Sequence, residues 1–258
     1  MILVKKIQIP TLPTEKPRQL YVYLPPEYGA AERYPVLYMF DGHNVFYDKD
    51  ATYGKSWGMK EYLERTRLPL IVVAVACNPE GNRRLNEYAP WDVETEDFGT
   101  LEGLGRVTMD WFTGVLKPEI DRSYRTLPDR EHSFLAGSSF GGLMTLYGLL
   151  AYNRFFSGGA ALSPSLWAGE KHWAELLRDS ELAAPTRLYL DMGSAELPAE
   201  DWESCMRGLF GIAGALAVKG ADVACRTVPG GEHSEAYWEK RIPVFLDYLL
   251  AKPGIQEE

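Results

Sequence analysis

The segment Gly137-Ser138-Ser139-Phe140-Gly141, followed at once by Gly142, constrains this chain more than any other. It stands between an apolar run, Ser133–Ala136, and a helix-forming run, Leu143–Tyr152. A G-x-S-x-G pattern in that setting reads as a sharp strand-to-helix turn with a serine at its tip. Such a turn forces a strained backbone on Ser139, and side chains two residues before and after it would collide, which accounts for Gly137 and Gly141. The turn lifts the Ser139 hydroxyl above the sheet. It also sets the Phe140 N–H where an oxyanion would form, with the positive end of the helix aimed at the same point. A glycine-rich turn can serve packing alone; the flanking strand and helix are what point to a nucleophile. Ser138 occupies a variable position of the pattern and reads as structural.

The rest of the chain supplies matching elements. Strands are expected over Val4–Ile9, Gln19–Leu24, Val36–Phe40, Pro69–Ala76, His132–Gly137, Arg187–Asp191 and Asp222–Val228. The run PLIVVAVA is apolar without alternation, as a strand covered on both faces requires. Helical spacing of apolar residues marks Val107–Ile120, Leu143–Tyr152, Trp202–Lys219 and Glu235–Leu250, with Pro118 and Pro243 marking ends or kinks. Strands alternating with helices imply right-handed crossovers and a parallel sheet. The first strands, with no helix between them, imply an antiparallel edge. The expected fold is therefore an α/β-hydrolase fold, mostly parallel, with helices on both faces, and one catalytic domain over residues 1–258. Residues 78–105 are polar, aromatic and acidic, and read as a long loop that covers or lines the site.

A serine hydroxyl needs a base to take its proton. In this fold the chain order is serine, acid, histidine. His43 and His132 precede Ser139, which leaves His172 and His233. His172 lies in GEKHWAELLRD, which reads as a surface helix; His233 lies in the glycine-rich loop PGGEHSEAYW between the last strand and the last helix, where a base can reach the sheet top. His233 is the expected base. For the acid, a carboxylate on the loop past the strand RLYLD stands nearer the histidine than one within the strand. That favours Glu196 over Asp191, with Glu200 and Asp201 behind them. The second oxyanion donor is expected from Asp41-Gly42-His43-Asn44, through Gly42 or His43, with Asp41 as a turn-anchoring residue.

Composition narrows the partners. A net charge of −9 disfavours nucleic acid and anionic membranes. The three cysteines, Cys77, Cys205 and Cys225, have no metal-ligand spacing and read as reduced thiols. No apolar stretch follows Lys5 and Lys6 as a signal peptide would need, and Leu70–Cys77 is too short to span a bilayer. A cytoplasmic protein with no metal and no cofactor is expected, and a homodimer is compatible with the sequence.

The stretches YVYLPPEY (Tyr21–Tyr28), YPVLYMFDGHNVF (Tyr34–Phe46), Tyr124-Arg125, GSSFGG, ALSPSLW (Ala161–Trp167) and GGEHSEAYWEKRIPVFLDYL (Gly230–Leu249) resemble, in order, the esterase D-like branch of the α/β-hydrolases. That group spans siderophore-ester hydrolases, S-formylglutathione hydrolases, feruloyl and acetylxylan esterases and mycolyltransferases. The resemblance implies Ser139 as nucleophile, His233 as base, and Phe140 with the Gly42–His43 region as oxyanion hole. It puts Glu196, in GSAE, in register with the family's acid. Trp167 and the Arg83–Tyr88 segment resemble pocket-lining residues, with Arg83, Tyr88 and Asn44 as substrate contacts. Trp167 reads equally well as core filling. The family usually has Gln where this chain has His43.

The expected activity is that of a serine esterase acting through an acyl-enzyme on a small or carbohydrate-linked ester. An acyltransferase would use the same groups, a peptidase would cut amides, and a non-catalytic binder would lack part of the set.

Overall fold

The computed structural model describes residues 1–12, 16–29 and 33–251. The chain opens with β1 (Ile2–Ile7) and β2 (Arg18–Tyr23), then β3 (Val36–Met39), a 3-10 turn at Gly42–Asn44, α1 (Met59–Thr66) and β4 (Ile71–Val75). Next come α2 (Arg83–Tyr88), the hairpin of β5 (Val93–Thr95) and β6 (Gly99–Leu101), α3 (Gly105–Trp111), a π-helical turn at Phe112–Leu116 and α4 (Lys117–Ser123). The second half runs β7 (Ser133–Ser138), α5 (Phe140–Ala151), β8 (Gly158–Leu162), α6 (Glu170–Asp179), β9 (Arg187–Gly193), α7 (Ala199–Val218), β10 (Asp222–Val228), α8 (Glu235–Glu239) and α9 (Ile242–Leu250).

Eight strands form one sheet in the order β1-β2-β4-β3-β7-β8-β9-β10. The pairs β1/β2 and β2/β4 are antiparallel, and every pair from β4 to β10 is parallel. This is the mostly parallel α/β-hydrolase architecture with its antiparallel N-terminal edge. Because side chains alternate across a strand, each central strand feeds two cores. Val22, Val36, Tyr38, Val73 and Leu135 face one, beneath α3, α5 and α7. Tyr23, Leu37, Met39, Val72 and Ala136 face the other, beneath α1 and α9.

Three features differ from the sequence expectation. Residues 78–105 hold α2 and the β5/β6 hairpin rather than a long irregular loop; Gly99, at φ 67°, accepts the left-handed conformation of that hairpin. Strand β8 reads GGAAL and carries no β-branched or aromatic signal. Its small residues are there because the layers close tightly over it: a Cβ on Gly158 would stand 2.9 Å from both Leu249 Cδ2 and Phe134 Cδ1. Finally, the segment over Val107–Ile120 is not one regular helix: α3 passes into the π-helical turn, and Pro118, which has no N–H to give to a helix, stands directly after it at the start of α4. Pro243 has the same place at the start of α9, which separates that helix from α8.

One buried ion pair fixes α2 to the sheet. Arg18, on β2, donates to both oxygens of Glu87 at 2.7 and 2.6 Å, with both residues buried. Asn78 Nδ2 donates to the same carboxylate at 3.1 Å. Breaking such a pair on one side leaves an uncompensated buried charge. Arg18→Met is therefore expected to cost about 3–5 kcal/mol in urea denaturation, while Arg18→Met with Glu87→Leu recovers most of that loss. Equal losses in the two variants would show that the pair is not what anchors α2.

Candidate active site

The strand-to-helix turn has the strain its sequence predicts. Ser139, the residue before α5, is at φ 58° and ψ −125°, a region non-glycine residues occupy only under structural compulsion. The compulsion is steric: a Cβ at Gly137 would lie 2.5 Å from the Gly141 carbonyl oxygen, so nothing larger than glycine lets the turn close. The Ser139 amide donates to Leu162 O at 3.1 Å, and its carbonyl accepts from Ser165 N at 3.1 Å, pinning the turn to the end of β8 and the loop that follows it. Its hydroxyl stands 3.4 Å from Ser165 Oγ. The Phe140 amide lies in the first turn of α5, where no intrahelical acceptor exists.

His233 and Ser139 line the same cavity, of about 890 Å³, with Asp41, His43, Asn44, Arg84, Glu235 and Trp238 among its walls. His233 Nδ1 is 2.8 Å from Glu196 Oε2. An ionised carboxylate only accepts, so Nδ1 carries the proton and Nε2 keeps its lone pair. The ring packs edge-on to Trp238 at 4.9 Å between centroids. Glu196 Oε1 in turn accepts from Ser163 Oγ and Gly193 N, both at 2.7 Å, and from Arg241 Nη2 at 3.4 Å. Burial alone would raise the Glu196 carboxyl, yet hydrogen bonds from His233 and Ser163 hold it below the usual carboxylate range.

Asp191, the other carboxylate considered for the acid, stays inside β9. It is fully buried, accepts from Arg241 Nη1 and Tyr189 OH at 2.7 and 2.8 Å, and does not contact His233. Burial outweighs Arg241 and pushes its pKa up to about 6. Glu200 and Asp201 start α7 and are exposed.

The loop Asp41–Asn44 sits beside the elbow. Gly42 is forced by close approach, since a Cβ there would be 2.5 Å from the backbone of Ala74. His43 and Gly42 open a 3-10 turn. Burial lowers the His43 pKa despite the Asp41 carboxylate, and its Nε2 pairs with Thr52 Oγ1 at 3.0 Å. Asp41, at φ 54°, is gripped by Arg84 through Nε and Nη2, both at 2.7 Å. Its own burial works against ionisation, but Arg84 keeps the carboxyl below the ordinary range. Asp41, His43 and Cys77 place one ligand atom each within 4.8 Å of one another. This is a poor cation site: Arg84 takes both Asp41 oxygens, and burial pushes the Cys77 thiol well up.

The remaining expected contacts fall differently. Asn44 lines the cavity. Arg83 does not; it projects beside Glu80, and its helix neighbour Arg84 enters instead, because adjacent residues on a helix point about 100° apart. Tyr88, one turn beyond Arg84, is buried under the loop and accepts from Asp41 N at 3.1 Å rather than facing the cavity. Trp167 is neither core nor a wall of the Ser139 cavity: it is 52% exposed, packs edge-on to Phe140 at 5.5 Å, and borders a separate apolar cavity of about 590 Å³ with Leu166, Trp173, Leu197 and Ile212. His172, on α6, stacks on Trp91 at 4.9 Å. Arg84, Glu235, Ser163 and Arg241 were not singled out from sequence. Only Arg84 had a local signal, its i, i+4 spacing to Tyr88.

A parallel sheet with an antiparallel edge, a strained serine between strand and helix, and a histidine–carboxylate pair on loops after later strands together define an α/β-hydrolase. Within that class the chain belongs to the esterase family described as "Putative esterase", whose model matches residues 13–249. It is 26% identical to the uncharacterized protein YbbA of Bacillus subtilis (strain 168) over 246 residues, 91% of this chain and 93% of that one. The BES protein from Bacillus cereus superimposes with a TM-score of 0.74 at 20% identity, covering 97% of this chain and 95% of the other. The siderophore hydrolase EstA from Aspergillus nidulans gives 0.70 at 17% identity over 97% and 95% of the two chains. Among the described residues no helix is long and apolar enough to cross a membrane.

The depressed Glu196 carboxyl carries a stability consequence. Its folded pKa is below its unfolded value, so the stabilisation is complete above about pH 4.3 and is lost as pH falls through the folded pKa. The urea midpoint of the wild type is therefore expected to drop more between pH 6 and pH 3 than that of Glu196→Gln. Equal drops would show that the histidine and serine hydrogen bonds do not favour the charged form.

Proposed function

We propose that the protein is a serine carboxylic-ester hydrolase that works through an acyl-enzyme on a small or carbohydrate-linked ester. The observation that carries this reading is the pairing of a strained Ser139 with His233 in one cavity, His233 being oriented by buried Glu196. For attack the Ser139 hydroxyl has to turn from Ser165 Oγ toward His233 Nε2, and hydrogen bonds of this kind tighten when substrate is in place. Ser139 then attacks the ester carbonyl while His233 takes its proton, and Glu196 stabilises the imidazolium without accepting that proton. The tetrahedral oxyanion rests on the Phe140 amide and an amide from Gly42 or His43, each donor being worth about 3–4 kcal/mol. His233 passes its proton to the leaving alcohol. Water, deprotonated by the same imidazole, cleaves the acyl-enzyme, releasing the acid and restoring Ser139. The chain's negative charge supports a small-molecule partner over nucleic acid or anionic lipid.

The test is hydrolysis of p-nitrophenyl esters from acetate to octanoate. Ser139→Ala is expected to lose at least ~10⁴-fold in kcat, and Glu196→Gln about 10²–10⁴-fold, with both variants folded. Wild-type rates in Ser139→Ala, or a folded wild type inert toward every ester, would overturn the reading. Product analysis in the presence of competing alcohols separates hydrolysis from acyl transfer by the same groups.

A further inference from the structure

Glu235 is a buried acid in the wall of the Ser139 cavity that the mechanism above does not use. It is 5% exposed and stands two residues beyond His233, at the start of α8. The ion pairs around it run from His233 and Arg241 to Glu196 and from Arg84 to Asp41; none reaches Glu235 among the described residues. Its Oε1 accepts from Asn44 Nδ2 at 3.0 Å. Asn44 is itself fixed, because its Oδ1 accepts from Thr52 N at 3.0 Å, which turns the NH₂ end toward Glu235. Burial pushes the Glu235 carboxyl up. Its own backbone N–H also serves the carboxyl. A carboxylate has about four acceptor positions, so Glu235 keeps capacity for a further donor.

The place of Glu235 decides what that donor belongs to. His233 hands its proton to the departing alkoxide, so groups flanking His233 on the cavity wall meet the alcohol half of an ester rather than its acyl half. Asn44 closes the same region from the oxyanion loop. Further polar groups, Gln19, Asp50, Thr52 and Asn78, continue along the cavity, whose volume of about 890 Å³ admits an alcohol the size of a sugar. We propose that Glu235, held by Asn44, is the specificity-determining group of the alcohol subsite and accepts a hydrogen bond from a free hydroxyl on the leaving alcohol, so that esters of polyols are preferred over esters of plain alkanols. This rests on the esterase reading above. A hydroxyl serves whether the carboxyl is charged or neutral, since it both donates and accepts, whereas an alkyl group offers the carboxyl nothing beyond the partners it already has.

The experiment compares kcat/KM for glycerol monoacetate and propyl acetate, two acetates with three-carbon alcohols, in wild type, Glu235→Gln and Glu235→Leu, with p-nitrophenyl acetate as a reference ester. Wild type is expected to favour glycerol monoacetate by at least ~10-fold. Glu235→Leu is expected to bring that preference to about one, chiefly through KM, and Glu235→Gln, which keeps an acceptor and the shape, to retain part of it. Should Glu235→Leu fail to fold, Glu235→Gln alone decides, through a partial fall in preference. No preference in wild type, a preference that survives undiminished in the variants, or an equal loss on both acetates as from a mere strut to Asn44, would each overturn the proposal. These results are distinct from failure of the esterase reading, in which wild type would leave p-nitrophenyl acetate uncleaved.

Discussion

Ser139 can hold φ 58° and ψ −125° only because the packing around it leaves the chain no other path. Such a conformation costs of the order of 1–3 kcal/mol, which the surroundings must offset. β7 is paired on both sides, with β3 and β8, and is buried along its whole length. α5 is buried from Phe140 to Leu150, so neither element can shift to relax the turn between them. The loops that frame the cavity are tied to this fixed point. The end of β8 and the loop that follows it are bonded to both sides of the Ser139 backbone, and the Asp41 loop is held against the end of β4 by the close approach at Gly42.

The second organising feature is a buried cluster in which one guanidinium serves two carboxylates. Arg241 bonds Asp191 and Glu196 together, with Ser163 between them. The two acids have different fates for reasons that burial alone does not explain. Asp191 has Arg241 and a tyrosine hydroxyl and is pushed up toward pH 6, whereas Glu196 gathers a histidine, a serine and a backbone amide and is held down. Environment separates two otherwise similar groups into one that takes up a proton more readily than a free carboxylate and one that resists it. The latter is the one that touches the imidazole.

Much of this was legible in the sequence because it depends on local rules. The elbow motif fixes a serine, its two glycines and the helix that follows, and each needs only its immediate neighbours to be recognised. The placement of Glu196 beyond its strand followed from chain geometry, since a residue past the strand's end can rise toward His233 while Asp191 cannot. What escaped depends on contacts between distant segments. Strand β8 is built from glycine and alanine because of what packs on it, a property absent from its own pattern. Arg83 and Arg84 are indistinguishable until α2 exists to point them apart. Glu235 and Asn44, 191 positions apart, meet only when α8 returns beside the Asp41–Asn44 loop.

His233 is anchored on its dry side and open on its wet one. The Glu196 side chain behind it has no exposed surface, while the histidine side chain is 42% exposed. The imidazole is thus rigid enough to keep its tautomer and yet stands in direct contact with bulk solvent. The two edges of one ring therefore live in different media: the edge that holds its orientation lies within the protein, and the edge that can exchange partners lies toward solvent.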